Sequence, residues 1–459
     1  MRSFRVLYIL LSAFLFSGCA SRAPIPMPTP GQEVNLNVGV IADTQITTEI
    51  RTSGYLFRNM RTDALVNVAI RTSAQEYLAA EHLTYMLQSL AKKSPDIILY
   101  LGDAANSGCE DEILSFMSVM KSFRKESNIP IFLTVGNHDY LATGNQSAVS
   151  ARNQACGDKP YYTKVSLAKI FSTYNLESSE IINAKSNFRV SSFVDVMTDK
   201  DSGVPSNCEA ANEEIQQISG CYYAGLVELS SNKSNIKLLL VDTSDYSDVK
   251  VLPKLSEYFA FFGLRGSVSW NLGQTDWFEK YLSESDSLRI ISSHYPVTDL
   301  GWTKFYVSRP GDLMSKNGYN LWLSAHTHTP SLNEEGEAIN YGSSSKGYKT
   351  VQHLNVGSTT DYKPHAAIVS MTADSVKMEK VESMTSLELL ACKKNLYADY
   401  AGEPEIVEEL LGLTKAYRER GYDTKESRRN IDTYLAKEED QREYWVRCLI
   451  NIAAENEQD

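Results

Sequence analysis

Five short apolar segments of the sequence each end in side chains that can bind a metal ion or transfer a proton. In one of them, residues 131–135 are apolar or β-branched and are followed by Gly136, Asn137, His138 and Asp139. A run of this kind predicts a buried strand, and the glycine lets the backbone turn sharply at its end. The other four segments end in the same classes of residue: Asp43 with Gln45, Asp103 with Asn106, His294, and His326 with His328.

The segments between these strands indicate how the sheet is built. Residues 73–93 and 111–127 have apolar side chains at helical spacing, so the first part of the chain alternates strand and helix. This alternation predicts an α/β fold, in which ligand sites form beyond the carboxyl ends of the strands. Four of the seven histidines lie at the five strand ends. If these polar residues only capped turns, the clustering of four histidines at the strand ends would have no explanation.

The order and spacing of these residues resemble the signature of the calcineurin-like metallophosphoesterase family. That signature reads D-x-H, G-D-x-x-[DN], G-N-H-[DE], an isolated histidine and G-H-x-H, and here it spans residues 43–328. Two positions depart from it, because Gln45 stands where histidine is usual and Ala325 replaces a glycine. The resemblance implies a four-layer α/β/β/α sandwich with a metal centre at one edge of its sheets.

The resemblance also implies a ligand set for two divalent transition-metal ions, whose identity (manganese, iron or zinc) stays open. By motif position, one ion is bound by Asp43, Gln45 and His328, the other by Asn137, His294 and His326, and Asp103 bridges them. Two such ions polarise a phosphoryl oxygen and generate hydroxide near neutral pH. The implied activity is therefore hydrolysis of a phosphate mono- or diester by a metal-activated hydroxide.

His138 and Asp139 are the implied catalytic pair, since His138 belongs to neither ligand set. His138 would donate a proton to the leaving group, Asp139 would orient its ring, and Asn106 would support the bridging region. Gln45 keeps an alternative open. An amide oxygen is neutral and harder than imidazole, so the first metal could bind weakly or favour manganese, magnesium or iron over zinc. At the extreme, the protein is a weakly active or inactive scaffold that binds partners as a surface lipoprotein.

The first 33 residues have the composition of an export signal followed by a tether. Arg2 and Arg5 precede an apolar run at 6–16, which is too short to span a bilayer but suits a signal peptide at 1–18. Residues 16–19 resemble a bacterial lipobox, which implies lipid attachment at Cys19 and a Pro-rich tether at 19–33. Ala20 favours the outer membrane of the cell envelope. A plain secretory signal with an incidental cysteine is the alternative.

The formal charge of −12 bears on the kind of partner. A nucleic-acid polymer requires basic surface for its phosphates, so we expect none as ligand. A small phosphorylated substrate remains compatible with this charge, because a metal pair supplies a positive field locally.

The cysteines and the composition predict how the chain is divided. Without Cys19, six cysteines remain, which suggests three disulfides among fifteen possible pairings. Proximity favours Cys208–Cys221, a shared helical region favours Cys392–Cys448, and Cys109 is left with Cys156. We expect a catalytic domain at 34–383 with a disulfide-stapled insertion at about 141–225, and a helical C-terminal appendage at 384–459.

Overall fold

The computed structural model describes most of the chain from residue 34 to residue 456. The described ranges are 34–48, 73–139, 156, 160, 162–181, 186–199, 222–244, 273–281, 288–297, 319–331, 333–341, 349–361, 363–372, 375–401, 404–411 and 424–456. The predicted signal peptide, the tether with Cys19 and the Cys208–Cys221 pair lie outside these ranges.

The described elements alternate strand and helix at the start and end in helices. The strands are β1 Asn35–Ile41, β2 Ile97–Tyr100, β3 Ile131–Leu133, β4 Arg189–Asp195, β5 Gly225–Ser230, β6 Asn235–Val241, β7 Leu288–Ser293, β8 Tyr319–Ser324, β9 Glu337–Tyr341, β10 Lys349–Asn355, β11 His365–Thr372 and β12 Val376–Glu382. The helices are α1 Ser73–Lys92, α2 Glu110–Ser127, α3 Lys164–Ser179, α4 Gly273–Tyr281, α5 Ser386–Asp399, α6 Pro404–Leu411, α7 Thr424–Lys437 and α8 Arg442–Asn456.

The strands form two sheets whose central strands are parallel. One sheet has the order β12-β11-β1-β2-β3, and the other has the order β4-β5-β6-β7-β8-β10-β9. In the first, β1, β2 and β3 are parallel neighbours, and in the second β6, β7, β8 and β10 are. The carboxyl ends of parallel neighbours share one edge, so the polar residues that follow β1, β2, β3, β7 and β8 can meet there.

The two sheets pack face to face, which gives the four-layer sandwich expected from the sequence. Leu36, Val38 and Val40 of β1 alternate onto the face that packs against Leu238 and Leu240 of β6. On the opposite face, Ile98 and Tyr100 of β2 and Leu133 of β3 pack under the helices with Leu83 and Phe116. Each fully buried side chain of this size contributes about 1.5–3 kcal/mol of transfer free energy. The predicted α/β/β/α architecture is therefore confirmed.

Part of the predicted insertion at 141–225 belongs to this core. Helix α3 buries Leu167 and Phe171 among the residues that cover the first sheet. Its Asn175 side chain accepts from Leu133 N at 2.8 Å and donates to Leu133 O at 3.0 Å, so it fixes the helix on β3. Strand β4 pairs antiparallel with β5 in the second sheet. Residues 164–179 and 189–195, within the interval predicted to be an insertion, therefore form a helix and a strand of the sandwich.

Two of the predicted disulfides are present in the described residues. Cys109–Cys156 has a Cα–Cα distance of 5.6 Å and ties the start of α2 to the interval before α3. Cys392–Cys448 has a Cα–Cα distance of 6.0 Å and joins α5 to α8.

The C-terminal helices pack against α1 of the sandwich. Ala74 and Leu78 of α1 lie in one apolar cluster with Leu435 of α7 and Val446 of α8. Within the ranges that the structure describes, no helix is both long and apolar enough to cross a membrane.

Candidate metal centre

The side chains of all seven predicted metal ligands lie in one connected group at the carboxyl edge of the two sheets. The two sheets are joined here by direct contacts. His326 N, after β8, donates to Asp43 Oδ2, after β1, at 3.1 Å. His294 Nε2, after β7, lies 2.9 Å from Asn137 Oδ1, after β3. The convergence expected from the strand order is therefore present in the structure.

The backbone is strained where it carries these ligands. Eight non-glycine residues of the described chain have a positive φ, and five of them are predicted ligands: Asp43 (51°), Gln45 (47°), Asp103 (57°), His326 (69°) and His328 (56°). A non-glycine residue in this region costs about 1–3 kcal/mol, and such strain concentrates at functional sites. The surrounding hydrogen bonds therefore hold these residues in positions that the isolated backbone would avoid.

Asp103 is the centre of the group. Its Oδ2 lies 3.2 Å from His294 Nε2 and accepts from Gln45 Nε2 at 3.2 Å, so it touches both predicted half-sites. Its Oδ1 accepts from His138 N at 2.8 Å. Burial raises the pKa of Asp103, but the imidazoles of His294 and His138 lower it, and the net direction is down. A Cβ on Gly136 would overlap this carboxylate, which explains the glycine there.

The half-site of Asn137, His294 and His326 is compact, with Asn137 and His294 buried and His326 half-buried. His294 Nδ1 donates to Leu101 O at 2.9 Å, which turns its Nε2 towards Asn137 and places it 3.2 Å from His326 Nδ1. Burial lowers the pKa of His294, but the Asp103 and Asp43 carboxylates raise it to about 9. Burial and the neighbouring His294 lower the pKa of His326. A bound cation would replace the proton that this acidic surrounding attracts to His294.

In the half-site of Asp43, Gln45 and His328, the first two residues are buried and the histidine is half-buried. His328 Nε2 lies 3.4 Å from Asp43 Oδ1 and 3.4 Å from Gln45 Nε2, and its side chain is 23% exposed. Asp43 Oδ1 is buried and forms no hydrogen bond among the described residues. The two ends of an amide are assigned from their neighbours, so a flip of Gln45 turns its oxygen to the same place.

The donor atoms fit divalent transition metals. Ligand atoms of Asp103, His294 and His326 all lie within 4.8 Å of one another. Carboxylate, imidazole and amide donors in this mixture suit manganese, iron or zinc. The buried, unpaired Asp43 Oδ1 adds a donor that a cation would satisfy.

Comparison with known proteins agrees with this geometry. A family model described as calcineurin-like phosphoesterase matches residues 36–330, which is more than half of the chain. The chain belongs to the calcineurin-like phosphoesterase family. Members of this family hydrolyse phosphate esters and use divalent metal ions, so the chain has the framework of a metal-dependent hydrolase. No curated protein matches the chain in sequence.

Solved structures of similar fold include three phosphoester hydrolases. A dimetal phosphatase from Danio rerio is 14% identical, with 76% of this chain and 98% of that chain covered and a TM-score of 0.38. A purple acid phosphatase from yellow lupin is 11% identical, with 77% and 53% covered and a TM-score of 0.35. A 5'-nucleotidase from Candida albicans is 12% identical, with 76% and 52% covered and a TM-score of 0.33. Because these TM-scores are below 0.5, membership rests on the family match.

Asp139 does not orient the His138 ring, so that prediction was wrong. Its two oxygens accept four backbone hydrogen bonds, from Asp103 N (3.1 Å), Ala104 N (2.7 Å), Ala105 N (3.1 Å) and Gly136 N (2.8 Å). Burial and the Asp103 carboxylate raise the pKa of Asp139 to about 7, while the N–H groups of Gly136 and Ala105 lower it. Asp139 therefore holds the loop that carries the bridging residue.

His138 is oriented instead by the backbone of Asn106. Its Nδ1 lies 2.6 Å from Asn106 O, and its Nε2 lies 4.0 Å from Asp103 Oδ2. The Ser107 N–H, which shares a peptide plane with this carbonyl, donates to Glu112 Oε2 at 2.9 Å and fixes its direction. The His138 side chain is 22% exposed, so it borders the solvent side of the site. Asn106 supports the site through its main chain.

The turn at 358–361, which follows β10, was not among the predicted site residues. Strand β10 is the parallel neighbour of β8, so its end lies beside His326 and His328. Ser358 Oγ and Thr360 Oγ1 donate to Asp43 O at 2.9 and 3.1 Å, and Asp361 Oδ2 contacts His328 Nδ1. The available signal was a sixth apolar segment ending in glycine and polar residues, NVGSTTD.

Proposed function

We propose that this protein hydrolyses a phosphate mono- or diester at a dinuclear metal centre. The observation that carries the proposal is the convergence of Asp43, Gln45, Asp103, Asn137, His294, His326 and His328 from five strand ends. Membership of the calcineurin-like phosphoesterase family supports it. A pair of divalent ions bound there would polarise the phosphoryl group and supply a hydroxide nucleophile.

The residues divide between two ions in the way that their contacts suggest. Asp43, Gln45 and His328 would hold one ion, and Asn137, His294 and His326 would hold the other. Asp103 would bind both, because its Oδ2 is 3.2 Å from a nitrogen of each half-site, on Gln45 and on His294. The left-handed backbone at Asp103 and the hydrogen bonds of Asp139 keep this carboxylate in place before any ligand arrives.

His138 would protonate the leaving group through Nε2. Its Nδ1 donates to the Asn106 carbonyl, which can only accept, so this nitrogen keeps its proton throughout. Nε2 is then the nitrogen that gains and loses a proton. Because the side chain is partly exposed beside the bridging carboxylate, an oxygen leaving the phosphorus can reach it.

The substrate that we propose is small and phosphorylated, and the cell envelope is its proposed location. A net charge of −12 disfavours long nucleic acids, whereas a metal pair attracts a single phosphate group. The apolar run at 6–16 and the Phe-Ser-Gly-Cys sequence at 16–19 support a lipid anchor at Cys19 on an outer-membrane lipoprotein.

Elemental analysis combined with two chromogenic substrates tests the function. The purified full-length chain should contain two divalent ions and hydrolyse p-nitrophenyl phosphate, bis-p-nitrophenyl phosphate or both. Asp103→Ala should lose metal and hydrolysis together, because it removes the shared ligand. A parent chain that binds no manganese, iron or zinc refutes the proposal. One that binds two ions and hydrolyses neither ester supports the binding-scaffold alternative.

A further inference from the structure

The half-site that contains Gln45 has an additional carboxylate behind its histidine. His328 Nε2 faces Asp43 and Gln45, at 3.4 Å from Asp43 Oδ1 and 3.4 Å from Gln45 Nε2. The nitrogen on the other side of the ring, Nδ1, is in direct contact with Asp361 Oδ2. Because a carboxylate oxygen accepts, Nδ1 carries the proton and Nε2 keeps its lone pair for a metal.

The two other ligand histidines lack such a partner in the described structure. His294 Nδ1 donates to the neutral Leu101 carbonyl at 2.9 Å, and the Asp43 Oδ1 atom lies 4.0 Å from this nitrogen. His326 Nδ1 faces His294 Nε2 at 3.2 Å. A charged acceptor makes imidazole a stronger metal ligand than a carbonyl does. The stronger acceptor therefore lies in the half-site where glutamine stands in the usual place of histidine.

The turn at 358–361 holds Asp361 beside the same half-site. Ser358 Oγ accepts from Thr360 N at 3.1 Å and from Asp361 N at 3.3 Å, so it closes the turn. The same hydroxyl donates to Asp43 O at 2.9 Å, and Gln75 Nε2 of α1 donates to Thr360 O at 3.0 Å. The position of Asp361 is thus coupled to the backbone of Asp43.

We propose that Asp361 is a positioning residue that fixes His328 as a ligand and offsets the weaker donor strength of Gln45. This inference rests on the proposed dinuclear site. The Asp361 carboxylate adds negative charge behind the imidazole and holds the tautomer that points Nε2 at the ion. Glutamine is then tolerated at position 45, because the Asp361 carboxylate restores to the half-site part of the donor strength that Gln45 does not supply.

Metal affinity measured with Mn²⁺ and Co²⁺ tests this without reference to turnover. Asp361→Asn keeps the size of the side chain and removes its charge. We expect the weaker of the two ions to bind about 10–100-fold less tightly in isothermal titration, with the other ion within about threefold of the parent. Asp440→Asn, on the exposed turn between α7 and α8, is the matched control and should keep both affinities.

Adding Gln45→His tests whether a second imidazole compensates for the loss of the Asp361 charge. In the Asp361→Asn background it should return the weaker ion to within a few fold of the parent affinity, since a second imidazole replaces the lost donor strength. Parent affinity for both ions in Asp361→Asn, or no recovery on adding Gln45→His, overturns the proposal. A parent chain that binds neither Mn²⁺ nor Co²⁺ overturns it together with the proposed function.

A second measurement covers the case in which Asp361→Asn fails to fold. In ¹⁵N-histidine-labelled parent chain loaded with Zn²⁺, His328 should give a strongly deshielded Nδ1–H signal that is absent from His328→Ala. Absence of that signal in the parent overturns the proposal. The two proposals also fail separately, because the affinity pattern can hold in a chain that hydrolyses neither chromogenic ester.

Discussion

Replacing Asp139 by asparagine should loosen the bridging ligand Asp103 and lower the free energy of unfolding. Three consecutive N–H groups, from residues 103 to 105, and the N–H of Gly136 surround this buried carboxylate. Each oxygen accepts two of the four bonds. Asparagine keeps one oxygen and turns an NH₂ group towards the other two donors. Above about pH 7, where this carboxyl group is ionised, two charge-assisted hydrogen bonds are lost at about 1.5–3 kcal/mol each, so the expected cost is about 3–6 kcal/mol.

Urea unfolding and metal analysis of the same preparations measure this prediction. The variant should unfold at a lower urea concentration and lose metal, because the left-handed backbone at Asp103 is no longer held. Asp195→Asn is the matched control, since Asp195 is also buried and accepts from Met197 N and Thr198 N through Oδ1. There, the amide can keep its oxygen on the backbone and point its NH₂ at the Tyr223 hydroxyl. The control should therefore lose less stability and keep its metals.

The opposite result has a definite meaning. If Asp139→Asn kept parent stability and both metals but lost turnover, Asp139 would act on His138 after all. The reasoning from its four backbone hydrogen bonds would then be refuted.

Four further predictions follow from the same contacts and from the sequence. His138→Ala should keep both metals and lower kcat by about 10²–10⁴, and equal loss of metal would make it a ligand. The double change Cys392→Ala/Cys448→Ala should lower the melting temperature of the C-terminal helices and leave kcat per metal-loaded molecule near the parent value, as calorimetry and turnover assays can show. Burial and Arg447 lower the pKa of His82 to about 3 in the folded protein, below its ordinary value, so stability present above about pH 6.5 is lost as the pH falls towards 3. Relative to pH 8, His82 should lower the free energy of unfolding by about 2 kcal/mol at pH 5. The free energy of unfolding of His82→Gln, measured in urea, should lack this part of the pH dependence. Cys19→Ala should move the protein from the membrane to the soluble fraction, and salt-resistant membrane retention would point to a different anchor.

The strand ends were predictable because two independent patterns coincide there. Apolar runs such as 97–101 and 131–133 indicate buried strands, and the residues that follow parallel strands lie at one edge of the sheet. The order of the ligand types then selected the family. Seven candidate ligands chosen in this way from the sequence lie in one connected group in the structure.

Helix α3 was missed because its local signal is weak. Leu167 and Phe171 are at helical spacing, but the segment also contains buried Ser172, Asn175 and Ser178 and follows a stretch rich in polar residues. Its position depends on contacts distant in sequence, above all the two hydrogen bonds from Asn175 to the backbone of Leu133. Tertiary contacts of this kind leave no periodic pattern in the sequence.

The role of Asp139 could not be read from its neighbours in the sequence. In Asn-His-Asp, the carboxylate can bind either the adjacent imidazole or nearby backbone N–H groups. The same three residues are compatible with both arrangements. The choice depends on Asp103, 36 positions away, whose φ of 57° and preceding Gly102 turn successive N–H groups towards one point. Such a concave group of N–H donors attracts an anion strongly. The carboxylate therefore binds the loop, and the histidine takes a carbonyl instead.

The two half-sites are held by different parts of the fold, which bears on how the chain tolerates Gln45. Asp139 acts on the loops after β2 and β3, whereas Ser358 and Asp361 act on residues that follow β1 and β8. A change behind His328 should therefore act first on the half-site of Asp43 and Gln45, since His294 is held by Leu101 O and Asn137. Because Asp103 contacts both half-sites, we expect binding at the second half-site to depend on its carboxylate remaining fixed. The compensation for Gln45 that we propose would then be local, since His328 of the same half-site contacts the outer Asp361 carboxylate.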